Sequence, residues 1–214
     1  MKVEAVGTRR SIVGEGPHWD KRSSTLLFVD CHGREVVRYD PAYGAETQVI
    51  STEGDIGSVI PFAEDNRQLA LCMENGLYRL DLDAMHKELL VEMLDTESPV
   101  KSRLNDGKCD ALGRLWTGSA PSKLGQGPVR PKYNFWCYSK GQLKHKLHKV
   151  GVSNGLTWTN DNEVMFYADS LPRHVYAFHF DLADGNIRNR RVLVDFLKTP
   201  GYQGLGFPDG MTID

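Results

Sequence analysis

Four short segments of this 214-residue chain carry side chains that could bind a cation or move a proton. They hold Glu15; Arg103 with Asn105 and Asp106; Asn154; and Asp209. Two carboxylates, Glu15 and Asp209, and two amide oxygens, Asn105 and Asn154, form an all-oxygen set. That chemistry suits a hard divalent cation such as calcium, magnesium or manganese. Such a cation polarises a carbonyl or lowers the pKa of a bound water, and an adjacent carboxylate can accept the proton. A turn reading competes at each segment taken singly. Asn-Gly and Asp-Gly are common turn dipeptides, and Asn105-Asp106-Gly107, Asn154-Gly155 and Asp209-Gly210 all fit. Arg103 reads equally as a surface ion-pairing residue or as a group that orients an anionic or carbonyl-bearing substrate. His18, between Pro17 and Trp19, reads first as a packing or hydrogen-bonding residue. No P-loop, no nucleotide-binding glycine pattern after a strand and no GxSxG elbow occurs.

These segments matter together only if the fold brings them together. Each opens a unit of about four short strands separated by Gly-, Asp- or Pro-rich turns. In the first unit the strands are Glu15–Asp20, Thr25–Asp30, Glu35–Asp40 and Glu46–Ile50. In the fourth they are Asn154–Trp158, Val164–Asp169, His174–Asp181 and Asn189–Val194. The third unit places Arg103–Asp106 before a strand, a turn at Asp110–Gly113, and a second strand through Leu115-Trp116-Thr117. The second is the least regular. Asp83–Leu94 is rich in helix formers, yet the repeat asks for an outer strand at Glu88–Glu92, with a residual helical turn at Asp83–Lys87. The units start near Glu15, Gly57, Asn105, Asn154 and Asp209, at intervals of 42, 48, 49 and 55 residues. Four-stranded units at this period predict an all-β fold, a β-propeller. About four blades and the start of a fifth inner strand at Pro208–Asp214 make a single, incomplete domain over residues 1–214. Asp40, Asp81 and Asp181 each end a third strand, which supports the register. Because the first strand of every blade lines the central channel, the unit starts converge at one channel mouth.

Composition narrows the partners. Lys and Arg number 26 against 28 Asp and Glu, without long blocks of either sign, so neither nucleic acid nor an anionic membrane is expected. No apolar run reaches the roughly 18 residues of a bilayer span, and the first residues lack a signal-peptide core. Cys31, Cys72, Cys109 and Cys137 lie far apart in strand-like runs without a CxxC, which reads as free thiols in a cytoplasmic protein. Trp116, Trp136 and Trp158 read as packing between blades.

Taken together, Gly14–Trp19, Arg103–Lys108, Ser153–Trp158 and Pro208–Asp214 resemble the regucalcin (senescence marker protein 30)/gluconolactonase family, with the insect luciferin-regenerating-enzyme-like branch nearest. The resemblance covers the whole chain in order and spacing. It implies a six-bladed propeller with one divalent cation (calcium, zinc, manganese or magnesium) in the channel, opening sugar lactones. By that resemblance Glu15, Asn154 and Asp209 are metal ligands and Asp209 is also the general base. Asn105 contacts substrate or a metal-bound water, and Arg103 holds the substrate. The implied partner is a small lactone, acted on by a monomer. Two departures stand out. After Thr117-Gly118 the family continues Thr-Met with a glutamate soon after; here Ser119–Lys123 follows with no acid, and Lys123 favours a more acidic ligand. Family chains also run about two blades further, so a C-terminally truncated chain with an uncovered fourth blade is expected. A calcium-binding regulatory protein without turnover, an inactive fragment and a protein-binding scaffold are the alternatives.

Overall fold

The computed structural model describes residues 4–74, 76–93, 101–122 and 132–213. Sixteen strands form four antiparallel sheets, each a meander in chain order, and no helix occurs among the described residues. Blade one comprises β1 (Gly14–Asp20), β2 (Thr25–Asp30), β3 (Glu35–Asp40) and β4 (Ala45–Ser51). Blade two comprises β5 (Ile56–Pro61), β6 (Gln68–Met73), β7 (Gly76–Asp81) and β8 (His86–Glu92). Blade three comprises β9 (Ser102–Cys109), β10 (Leu115–Pro121), β11 (Tyr133–Ser139) and β12 (Gln142–Val150). Blade four comprises β13 (Ser153–Trp158), β14 (Val164–Asp169), β15 (His174–Asp181) and β16 (Asn186–Asp195). The expected all-β propeller with four blades is therefore present. No helix of the described residues is long and apolar enough to cross a membrane.

Three apolar cores weld neighbouring blades. Leu27, Val29 and Val36 of blade one meet Val59, Leu69 and Leu71 of blade two. Ile60, Cys72 and Leu77 meet Leu104, Leu115 and Trp136. Trp116, Phe135 and Tyr133 meet Leu156, Met165 and Phe178. Trp116, Trp136 and Trp158 thus pack between blades, as expected, and Trp116 crosses Trp158 edge-on with ring centroids 6.1 Å apart. All four cysteines are free. On the far side of blade four, Val164, Phe166 and Val175 are only partly buried, and Val192 and Leu193 of β16 are exposed.

Two expectations are corrected. The Asp83–Lys87 helical turn does not form: residues 82–85 make a reverse turn, capped by Asp81 Oδ1, which accepts the Asp83 and Ala84 N–H groups at 2.9 Å. Helix propensity yields because β8 pairs along β7 from His86 to Glu92 and satisfies its backbone there. Nor is there a strand at Pro208–Ile213; no neighbouring strand pairs with it, and an unpaired segment has no ladder to join. The segment still packs as an inner strand would, since a Cβ added to Gly155 of β13 would lie 2.5 Å from Met211 N and 2.6 Å from Asp209 O.

Buried aspartates aim the inner strands. Asp30, at the end of β2, accepts N–H groups from Ile12 (2.8 Å), Val13 (3.0 Å) and Gly33 (3.0 Å), fixing the approach to β1 and hence Glu15. Asp169, at the end of β14, accepts Gly151 and Val152 N–H groups and fixes the approach to β13 and Asn154. Burial opposes ionisation of Asp30, but its three N–H donors outweigh it and hold the carboxyl below its usual range. The associated stability is therefore present above the ordinary carboxyl pKa and lost as pH falls through the lowered one. Asp30→Ala should cost about 3 kcal/mol at pH 7 by leaving three donors unsatisfied. Denaturant unfolding should show the gap to wild type narrowing on acidification.

Candidate metal and substrate site

The inner strands β1, β5, β9 and β13 surround a cavity of about 720 Å³ lined by Glu15, His18, Asp106, Lys108, Gly155 and Thr212 among others. Close approach of backbones makes this possible. A Cβ on Gly57 of β5 would stand 2.5 Å from Asn105 O and 2.6 Å from Leu104 O of β9. In β1 a register shift between Glu15 and His18 accompanies Gly16, whose positive φ of 56° suits glycine.

Of the five expected site residues Glu15 lines the cavity; Arg103, Asn105 and Asn154 stand on the inner strands β9 and β13 that surround it, and Asp209 is exposed. Arg103 Nη1 donates to Asn105 Oδ1 at 2.6 Å and to Leu104 O at 3.1 Å. Asn105 Nδ2 donates to Ser153 O at 2.8 Å, tying blade three to the residue before Asn154. Asn154 Nδ2 donates to Ser170 Oγ at 3.0 Å, and Ser170 Oγ donates to Pro208 O at 2.7 Å. That relay reaches from Asn154 to the residue preceding Asp209. It also settles the Asn154 amide, leaving Oδ1 as acceptor, where it takes the Gly155 N–H at 3.1 Å. Glu15, Asp209 and Arg103 lie within one another's electrostatic reach: burial, then Asp209, pushes the Glu15 carboxyl up, and Arg103 partly offsets them. Lys123 lies outside the described residues.

One acid has a larger part than its turn-like setting suggested. Asp106 is buried in the cavity wall and held up to about 7, first by burial and then by Glu15 and Asp209; Arg103 and Lys108 partly oppose this. A Cβ on Gly210 would come 3.9 Å from Asp106 Oδ2, so Asp106 faces the Asp209-Gly210 segment directly. Lys108, two residues on along β9 and therefore on the same face, donates to Thr157 Oγ1 at 3.2 Å, and burial lowers its pKa. His18 lines the same cavity, its pKa lowered chiefly by burial. The signal for Asp106 and Lys108 was their two-residue spacing in a strand beside Asn105.

A divalent cation fits this donor set. Glu15 and Asp106 line one cavity, Asp209 is exposed but within electrostatic reach of both, and no hydrogen bond engages these three carboxylates among the described residues. Their oxygens are hard donors, and the mutual repulsion is what a cation relieves. No three His, Cys, Asp or Glu side chains among the described residues form a ready chelate; the expected set instead combines two carboxylates with an amide oxygen. Arg103 Nε is buried without a partner, a donor available to a bound molecule.

The raised carboxyl makes the metal-free protein pH-sensitive. A carboxyl raised in the folded state stabilises fully below its ordinary pKa, and that advantage is lost as pH rises through about 7. Asp106→Asn should therefore raise the melting temperature in EDTA at pH 8 by about 4 °C or more. At pH 5, part way between the ordinary carboxyl pKa and about 7, calorimetry should find a smaller gain.

Comparison with known proteins supports the fold and shows the family. The sequence matches the SMP-30/Gluconolactonase/LRE-like region over residues 13–214. It is 33% identical to regucalcin of Xenopus laevis over 216 residues, covering 100% of this chain and 69% of that protein. It is 29% identical to a putative sugar lactone lactonase, YvrE, of Bacillus subtilis, covering 96% of this chain and 66% of that one. Among solved structures, luciferin-regenerating enzyme superposes with a TM-score of 0.84 at 33% identity, over 95% of this chain and 66% of that one. A gluconolactonase of Xanthomonas campestris shares the fold, with a TM-score of 0.74 at 21% identity, over 96% of this chain and 68% of that one. The chain spans about two thirds of the length of these relatives. A matching family region over residues 13–214, on a propeller fold, makes this chain a member of the SMP-30/gluconolactonase/LRE-like family.

Proposed function

We propose that this chain carries the site of a divalent-cation-dependent hydrolase that opens sugar lactones. The observation that carries the reading is that Asp209 and Arg103 lie within electrostatic reach of Glu15 in the cavity wall, that Ser170 ties Asn154 to the residue before Asp209, and that Nε of Arg103 is buried and unpartnered. Glu15, Asn154 and Asp209 would hold the cation; calcium, zinc, manganese and magnesium all accept such oxygen donors. When bound, the cation polarises the lactone carbonyl and lowers the pKa of water.

The remaining work falls to this chain's own side chains. Arg103, braced against Asn105 and Leu104, donates from its guanidinium to the oxygen atoms of the lactone. Asn105 is itself held by Ser153, so the pair presents a fixed edge rather than a mobile one. Asp209 accepts a proton as water adds to the carbonyl carbon. The bond from that carbon to the ring oxygen then breaks, and Asp209 returns the proton to the departing alkoxide. The product is the open hydroxy acid, with one water consumed. The partner is accordingly a small molecule, and a monomer suffices, since every residue named comes from one chain.

Lactone hydrolysis by the purified chain tests this directly. With calcium, zinc, manganese or magnesium added, gluconolactone should be hydrolysed above the spontaneous rate, and chelation should abolish the excess. Asp209→Ala should lower kcat about 100-fold or more, and Arg103→Ala should act mainly through KM. Saturable cation binding without turnover on a panel of aldonolactones would overturn the hydrolase and leave a calcium-binding regulatory protein.

A further inference from the structure

A second cavity, of about 530 Å³, opens between blades three and four and shares no lining residue with the channel. Its walls carry Arg114, Lys140, Lys144 and Lys146 against a single acid, Asp184. Gln142, Lys144 and Lys146 stand at alternate positions of β12, so the strand's pleat turns all three to one face. Lys144 lies in register with Cys137 of β11, placing it over the cavity floor.

Two of the four cations are braced by neutral groups of blade four. Arg114 Nη2 donates to Leu182 O at 2.7 Å while its Nε donates to Asp110 Oδ2 at 2.6 Å. Lys146 donates to Gly185 O and lies 5.3 Å above the centre of the Trp116 ring. The other two, Lys140 and Lys144, are exposed and have no hydrogen bond or ion pair among the described residues. Compensating negative charge is scarce. Asp184 is occupied with the N–H and side-chain amide of Asn186. The Cys137 thiol, which also lines the cavity, is pushed up to about 11 by burial, with Lys146 opposing, and so stays neutral at physiological pH. Burial, together with Lys144 and Arg114, pushes the Lys146 ammonium down even though Asp184 opposes this. Four positive charges thus face two carboxylates, Asp110 paired with Arg114 and Asp184 near Lys146, and Lys140 and Lys144 have no ion-pair partner among the described residues.

We propose that this inter-blade cleft is a binding site for a small anion bearing two phosphate groups, held by Arg114, Lys140, Lys144 and Lys146. The spread of charge selects the ligand. Lys144 and Lys146 are two residues apart, about 7 Å along the strand, and Lys140 stands in the turn between Ser139 and Gln142. A diphosphate or bisphosphate can engage the free lysines at one end and the braced cations at the other, one charged group for each pair. Arg114 supplies the planar fork that suits phosphate oxygens, and the lysines supply point charges.

Calorimetric titration of the full chain with inorganic pyrophosphate tests the proposal, in EDTA and at low ionic strength so that cations in the channel play no part. Saturable one-to-one binding is expected, weakened by salt. The double variant Lys140→Gln/Lys144→Gln should lose about tenfold or more in affinity, whereas Lys198→Gln, outside the cleft, should lose little. Lactone hydrolysis and cation binding by the double variant should match wild type, which separates this site from the channel. No saturable binding, equal affinity in the double variant, an equal loss in Lys198→Gln, or equally tight binding of inorganic phosphate would each overturn it.

Discussion

The channel depends on inner strands that touch through their backbones. At Gly57 and Gly155 even one added carbon would meet backbone atoms 2.5 Å away, on β9 and on the Asp209–Met211 segment respectively. Backbone cannot move aside as a side-chain tip can, so these contacts tolerate only hydrogen. With the strands this close, residues from distant parts of the chain come within hydrogen-bonding reach. Asn105 then bonds across to Ser153, and Ser170 across to Pro208. The site is a consequence of how narrow the ring is.

That narrowness has an electrostatic cost. Glu15 and Asp106 share a poorly solvated space, with the exposed Asp209 near enough to repel both and with Arg103 and Lys108 as only partial counter-charges. A rigid scaffold is needed to hold like charges together, and the buried aspartates outside the channel help provide it. Asp30 and Asp169 perform the same structural task on blades one and four, yet with opposite electrostatic balance. At Asp30 the N–H donors outweigh burial; at Asp169 burial outweighs them, and its carboxyl is raised. The surplus of carboxylates in the channel and the surplus of ammonium groups in the inter-blade cleft follow the same logic. In each, like charges are held close together, and an ion of opposite sign would relieve the repulsion.

Much of this was legible in the order of residues. The period of the strand units, the aspartates closing third strands and the interblade tryptophans all appear in the structure where the sequence places them, because strand pairing and turn chemistry are local. Glu15, Arg103, Asn105, Asn154 and Asp209 stood out for the same reason, each at the start of a unit. Less legible was β8, whose helix-forming residues yield to pairing with β7. The segment around Asp209 was read as a strand but has no partner to pair with; it keeps the position of an inner strand without its hydrogen bonds.

Local sequence thus determined the elements and nominated the polar residues, since hydrophobic alternation and turn preferences act over a few positions. Only the tertiary structure decided what those residues do to one another. Asp106 looked like half of a turn and became a buried acid, because its pKa is set by burial and by Glu15 and Asp209, which are remote in the chain. The cations of the inter-blade cleft come from a hairpin of blade three and the turn before β10, and only the packing of blade four against them encloses a cavity. Charge interactions of this kind depend on distance in space and on exclusion of water, and neither is written in the spacing of residues along the chain.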